Sequence, residues 1–242
     1  MRVIFFTILI VIFSIELKSQ ERVTFFAEDG LQITADHYFI DESKSYVILF
    51  HQGGYSRGEY IHTAQKITKY GYNCLAVDLR SGGEVNNIQN RTALRALQKG
   101  YPTNYHSSKK DVLAAIKWVK NKNTKKIVLF GSSFSASLCL LVAQDSPIVK
   151  AVIAFSPGEF FNYNPCVKEK IKELHKPIFV ASTKREQSFT KDLLSYIPQI
   201  NKTLFTVSDG NGQHGSKCLW SDNKGSQEYW LALTMFFSKI RD

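Results

Sequence analysis

The chain has 242 residues, 44% of them apolar or aromatic, enough for one domain with a full core and too few for two comfortable ones. Its 31 basic and 21 acidic residues give a net charge of +10, but the basic residues are scattered, as in Lys117, Lys120, Lys122, Lys125 and Lys126 around one helix end. They interleave with aromatics in no nucleic-acid motif, so the charge reads as solvated surface lysines and nucleic acid is not an expected partner.

At the N-terminus, Arg2 precedes an apolar run from Val3 to Phe13, broken only by Thr7, and a polar patch with the small residue Ser19 follows. This reads as a signal peptide over residues 1–19. The run falls well short of the roughly 20 apolar residues a membrane span needs. The expectation is therefore a secreted or periplasmic chain, residues 20–242, with no stable span after cleavage. Loss of Arg2, Glu16 and Lys18 removes one net positive charge and leaves +9. No cysteine stands near the cleavage point to accept a lipid.

Val23–Ala27 and Leu31–Phe39 flank Glu28-Asp29-Gly30, a hairpin signal. Apolar runs at Tyr46–Phe50, Asn73–Val77, Lys126–Phe130, Val149–Phe155, Ile178–Ala181 and Thr203–Val207 are short enough to be buried strands. Between them lie helical patterns: Ile61–Ile67 closed by Gly71, a helix from Ser108 as N-cap through Val119, Phe134–Ala143, a short helix before Ile178, Phe189–Ile197 and a closing helix over Tyr229–Ile240. This alternation predicts an α/β fold, a mostly parallel sheet of about eight strands with helices on both faces. In such sheets the site lies beyond the carboxyl ends of the strands. The long connection at 84–107 is expected to cover the site as a cap.

The loops after the strands carry the chemistry. Gly131-Ser132-Ser133-Phe134-Ser135 joins an apolar strand to a small-residue helix, the pattern of a nucleophile on a tight turn, with Ser135 in the place of the usual last glycine. The turn crowds the residues two before and two after the serine, so both must be small. The alternative is an ordinary serine N-cap. His51-Gln52-Gly53-Gly54 follows an earlier strand and frees backbone N–H groups, so Gly53 and Phe134 together form a candidate oxyanion hole. His214, in the glycine-rich loop after the last strand, is the candidate general base, against a surface histidine. Glu186, beside Lys184 and Arg185, is the candidate acid or else half of a solvated ion pair, with Glu159 and Asp209 as runners-up.

Cys74 and Cys139 lie in apolar runs and read as core residues. Cys166 and Cys218 lie in polar stretches and are candidates for a disulfide in an exported protein. No cysteine pair has the close spacing of a zinc or redox site.

The Gly131–Ser135 turn, the HQGG loop, the Asp78–Gly83 stretch and the late His214-Gly215 together resemble the α/β-hydrolase superfamily, and within it small bacterial dienelactone-hydrolase-like and esterase-like proteins. The likeness runs from about Val47 to the C-terminus. It implies a Ser-acid-His triad of Ser133, Glu186 and His214, acyl transfer from a small-molecule ester to water, and no metal or cofactor. In similar enzymes the Asp78–Arg80 loop braces the site. The chain departs from the pattern at Ser135 and in having glutamate where aspartate is commoner. Dienelactone hydrolases proper resemble it with a cysteine nucleophile, so Ser133 points to a different substrate. Two other readings stand beside an esterase: a fold of this type that binds a ligand without catalysis, and a small peptidase, against which the shortness of the chain speaks.

Overall fold

The computed structural model describes residues 20–241 apart from 123, 125 and 163–165; the signal-peptide reading of 1–19 lies outside the described residues. β1 (Gln20–Phe26) and β2 (Gln32–Tyr38) form the expected antiparallel hairpin. The main sheet adds β3 (Tyr46–Phe50), β4 (Asn73–Val77), β7 (Ile127–Ser132), β8 (Val149–Phe155), β9 (Ile178–Ala181) and β10 (Lys202–Phe205). Its order is β1-β2-β4-β3-β7-β8-β9-β10. From β4 to β10 all pairs are parallel, and only β2 runs against them, so that β1, antiparallel to β2, points the same way as the rest. This is the eight-stranded, mostly parallel sheet that the alternation implies.

Two cores cover its faces, because successive strand residues point to opposite sides. Ile48 and Phe50 of β3 pack on one side with α3 (Lys109–Lys120) and α4 (Phe134–Asp145). Val47 and Leu49 pack on the other with α1 (Ile61–Thr68) and α7 (Ser226–Ile240). α4 is buried along nearly its whole length, which explains why its sequence is small and apolar all round rather than striped.

Several boundaries move. Ser108 stands at the expected N-cap position of α3, but its side chain makes no cap bond and its hydroxyl meets that of Ser81 at 2.7 Å. The helix drawn at Phe189–Ile197 is α6 (Gln187–Leu193), and β10 begins and ends earlier than its apolar run. The connection at 84–107 is structured: β5 (Glu84–Val85) and β6 (Ile88–Gln89) make a small hairpin, and α2 (Arg91–Gln98) follows. This part is tied to the flank of the molecule, through Ser56 Oγ to the Ile88 carbonyl (2.5 Å) and Arg95 to the Gln32 carbonyl (3.1 Å). Its last residues swing back over α4.

The expected Cys166–Cys218 bond is absent, and all four cysteines are free thiols. Cys166 precedes the short helix α5 (Val167–Lys170), whose Val167 packs in the core with α3 and α4. Cys218 is buried in the opposite core with α7. The sheet stands between the two faces, which is the reason no bridge forms.

Candidate active site

Ser133 sits between β7 and α4 with φ 59° and ψ −125°, a strained conformation for a residue with a side chain. The turn is tight enough that a Cβ on Gly131 would lie 2.5 Å from the Ser135 carbonyl oxygen, so only glycine fits there. Ser135 fits for another reason. Its hydroxyl donates to the Phe50 carbonyl (2.6 Å) and accepts from the Ser132 N–H (2.9 Å), joining the end of β3 to the turn.

Ser133 Oγ lies 2.9 Å from His214 Nε2, and His214 Nδ1 lies 2.5 Å from Glu186 Oε1. The three sequence candidates thus form one hydrogen-bonded line, although they come from three separate loops. Glu186 Oε2 also accepts from the Ser156 hydroxyl (2.8 Å) and the Thr183 N–H (3.0 Å). Partial burial pushes the Glu186 carboxyl up, but the bonds from His214, Thr183 and Ser156 outweigh it and hold the group at about 2. Glu186 makes no ion pair with Lys184, whose ammonium reaches the Ser208 carbonyl instead (2.8 Å).

The runners-up are occupied elsewhere. Glu159 accepts from the N–H groups of Val167 and Lys168 at the start of α5 (2.7 and 2.8 Å), an anion where the helix dipole favours one. Asp209 pairs with Lys224 at 2.6 Å on the surface.

Around the Ser133 turn, Phe134 opens α4, so its N–H has no intrahelical acceptor. Gln52 N–H is bound to Glu59 Oε2 (2.8 Å), which fixes the backbone directly before Gly53, the residue in the glycine-rich turn expected to offer an N–H. His51 shapes this loop. It is fully buried, with Nδ1 2.8 Å from the Gln52 carbonyl and Nε2 receiving the Leu79 N–H (2.9 Å) and the Asn90 amide (3.1 Å). That pattern fixes the neutral tautomer with the proton on Nδ1. Asp78 and Arg80 are indeed braces: Asp78 pairs with the buried Arg57 at 2.7 Å, and Arg80 grips both Asp111 and Asp29 at 2.7 Å.

Four residues that the sequence patterns did not single out hold the His214 loop. Ser156 stands at φ 51° after β8 and accepts from the Gly215 N–H (3.0 Å) while donating to Glu186, so it couples the His214 loop to Glu186 directly. Ser132 Oγ accepts from the Ser216 N–H (2.8 Å). Ser216 Oγ donates to Glu59 Oε1 (2.5 Å), whose other oxygen holds Gln52. Glu59 is fully buried, and burial raises its carboxyl above the ordinary value against these bonds. One buried carboxylate therefore links the Gly53 loop to the His214 loop. Of the four, Ser156 alone has a sequence signal, a polar residue directly after a strand, and many loops share it.

The family model for the dienelactone hydrolase family matches residues 35–207. The chain belongs to the dienelactone hydrolase family. Among solved structures, an esterase of Pyrococcus furiosus is 17% identical, covers 93% of this chain and 92% of its own, and has a TM-score of 0.69. A dienelactone hydrolase of Anabaena variabilis is 14% identical over 91% of this chain and 97% of its own, with a TM-score of 0.70. A hyperthermophilic esterase of Pyrobaculum calidifontis is 14% identical over 92% and 84%, with a TM-score of 0.63. At these identities the likeness is one of fold, the α/β-hydrolase fold. Comparison with curated protein sequences finds no match.

Proposed function

We propose that this dienelactone hydrolase family member is a serine hydrolase that cleaves a carboxylic ester through an acyl-enzyme. The observation that carries the reading is the hydrogen-bonded line from Ser133 Oγ through His214 to Glu186 on a strained strand-to-helix turn. In the mechanism, His214 Nε2 takes the Ser133 proton as Oγ attacks the ester carbonyl. Glu186 holds the ring with Nδ1 toward itself and stabilises the imidazolium. The N–H groups of Gly53 and Phe134 receive the oxyanion, helped by the positive end of α4. His214 then gives its proton to the leaving alcohol, and water, activated by the same ring, releases the acid and restores Ser133.

The test is a fluorophosphonate label on the purified chain together with turnover of simple esters. Wild-type protein is expected to label and turn over, and Ser133→Ala to do neither while keeping its circular dichroism and unfolding curve. Labelling at background level in the wild type would support the ligand-binding alternative, and cleavage of peptides in preference to esters the peptidase one. We further propose export by residues 1–19. N-terminal sequencing of the protein recovered outside the cytoplasm should begin near Gln20; an intact leader on that material would overturn cleavage there, and retention of all the protein in the cytoplasm would overturn export.

A further inference from the structure

A cleft of about 430 Å³ is lined by Asn104, Tyr105, His106, Phe160, Phe161 and Asn162. Its size falls within the roughly 300–1,000 Å³ of small-molecule pockets. Two independent ties place it at the first turn of α4. Tyr105 stacks on Phe134, with ring centroids 4.1 Å apart and planes 11° from parallel. On the opposite wall, the loop leading to Phe160 is anchored by Ser137 Oγ, which accepts from the Gly158 N–H (2.9 Å) and donates to its carbonyl (2.7 Å).

Tyr105 also reaches the other half of the oxyanion site. A Cβ at Gly53 would overlap the Tyr105 hydroxyl, so the phenol fills the space where a side chain of that residue would stand. The same ring therefore borders both residues proposed to supply the oxyanion N–H groups, and one face of the cleft. Tyr105 and Phe160 leave 38% and 37% of their surface exposed. Exposed aromatic faces in a concave surface next to a reactive serine are suited to stacking on a flat apolar group.

Resting on the hydrolase reading above, we infer that this cleft binds a flat apolar, aryl-type group of the ester, with Tyr105 and Phe160 as its specificity-determining walls. The geometry does not require that group to be on the acyl or the alcohol side, so both sides are probed. Two substrate pairs of matched intrinsic reactivity serve: methyl 3-phenylpropanoate against methyl hexanoate, and benzyl acetate against butyl acetate.

For wild-type protein, kcat/KM is expected to favour the aryl member of at least one pair by about tenfold or more. Tyr105→Ala and Phe160→Ala, measured separately, are each expected to shrink that ratio while the variants still label with fluorophosphonate at Ser133. An equal rate within both pairs for the wild type overturns the inference, as does an aryl preference that survives both substitutions. Labelling separates this failure from that of the parent reading. Protein that labels at Ser133 without an aryl preference refutes the cleft alone, whereas protein that does not label refutes the hydrolase and the cleft together. Unfolding curves of the two variants matching wild type show that the ratio reports on the cleft and not on the fold.

Discussion

Glu186 and Glu159 are both glutamates in loops after strands, and the sequence gives little to choose between them. Their partners do: three polar groups converge on Glu186, one of them His214, while both oxygens of Glu159 hold the start of α5. Glu186→Gln keeps the size of the side chain and loses the charge that orients and stabilises the imidazolium. Turnover is expected to fall by about 10²–10⁴-fold, by analogy with loss of the acid in other triads. Glu159→Gln and Asp209→Asn should stay near the parent rate. A loss confined to Glu159→Gln would overturn the assignment. Ser133 and His214 are legible in the sequence because a tight turn and a late glycine-rich loop leave a local pattern. Ser156 and Glu59 are not, since their value lies wholly in what the fold brings to them.

At the scale of elements, four strands stand where their apolar runs place them, Tyr46–Phe50, Asn73–Val77, Val149–Phe155 and Ile178–Ala181. Such strands are buried on both faces, so composition alone bounds them. α2 (Arg91–Gln98) is amphipathic but short, and its buried residues are the small Thr92, Ala93 and Ala96, so it does not stand out as an apolar run. Its start is set by the Asn90 side chain, which accepts from the Ala93 N–H. The β7–α4 junction yields a prediction against its own motif. Ser135→Gly restores the usual pattern yet removes the hydroxyl that satisfies the buried Ser132 N–H and is one of two donors to the Phe50 carbonyl, the Tyr60 hydroxyl being the other. Urea unfolding should show a loss of about 1–3 kcal/mol, and a neutral or stabilising result would mean that these groups find other partners. The separation of the two cores yields another. Thiol titration of the denatured, unreduced protein should count four free thiols, whereas a count of two would restore a bridge that the sheet forbids.

Across the whole molecule, acid stability is set in large part by histidines that the fold keeps neutral. Burial alone drives His51 from 6.5 to about 4, and burial, aided by nearby Lys122, does the same to His37. For His51 the hydrogen bonds show why: Nε2 accepts from the Leu79 and Asn90 N–H groups, and a proton there would set donor against donor at the end of β3. The unfolded chain has no such constraint and takes up the proton below pH 6.5. Between 6.5 and about 4 the unfolded state therefore binds more protons than the folded one, and stability falls as pH falls. Each pH unit in that window removes about 1.4 kcal/mol per fully buried group, so His51 accounts for about 2 kcal/mol by pH 5. Glu186 works the same way at lower pH, since its depressed carboxyl stabilises the fold above 4.5 and loses that contribution as pH falls toward 2. The check is urea unfolding at pH 7 and pH 5 for wild type and His51→Gln. The variant is expected to be less stable at pH 7, having lost a ring that bridges β3 to the Leu79 loop. Its drop between the two pH values should nonetheless be smaller than that of the wild type by about 2 kcal/mol, because glutamine has no proton to gain. An equal drop in both proteins would mean that His51 is charged in the folded chain, and that the acid sensitivity of the molecule lies elsewhere.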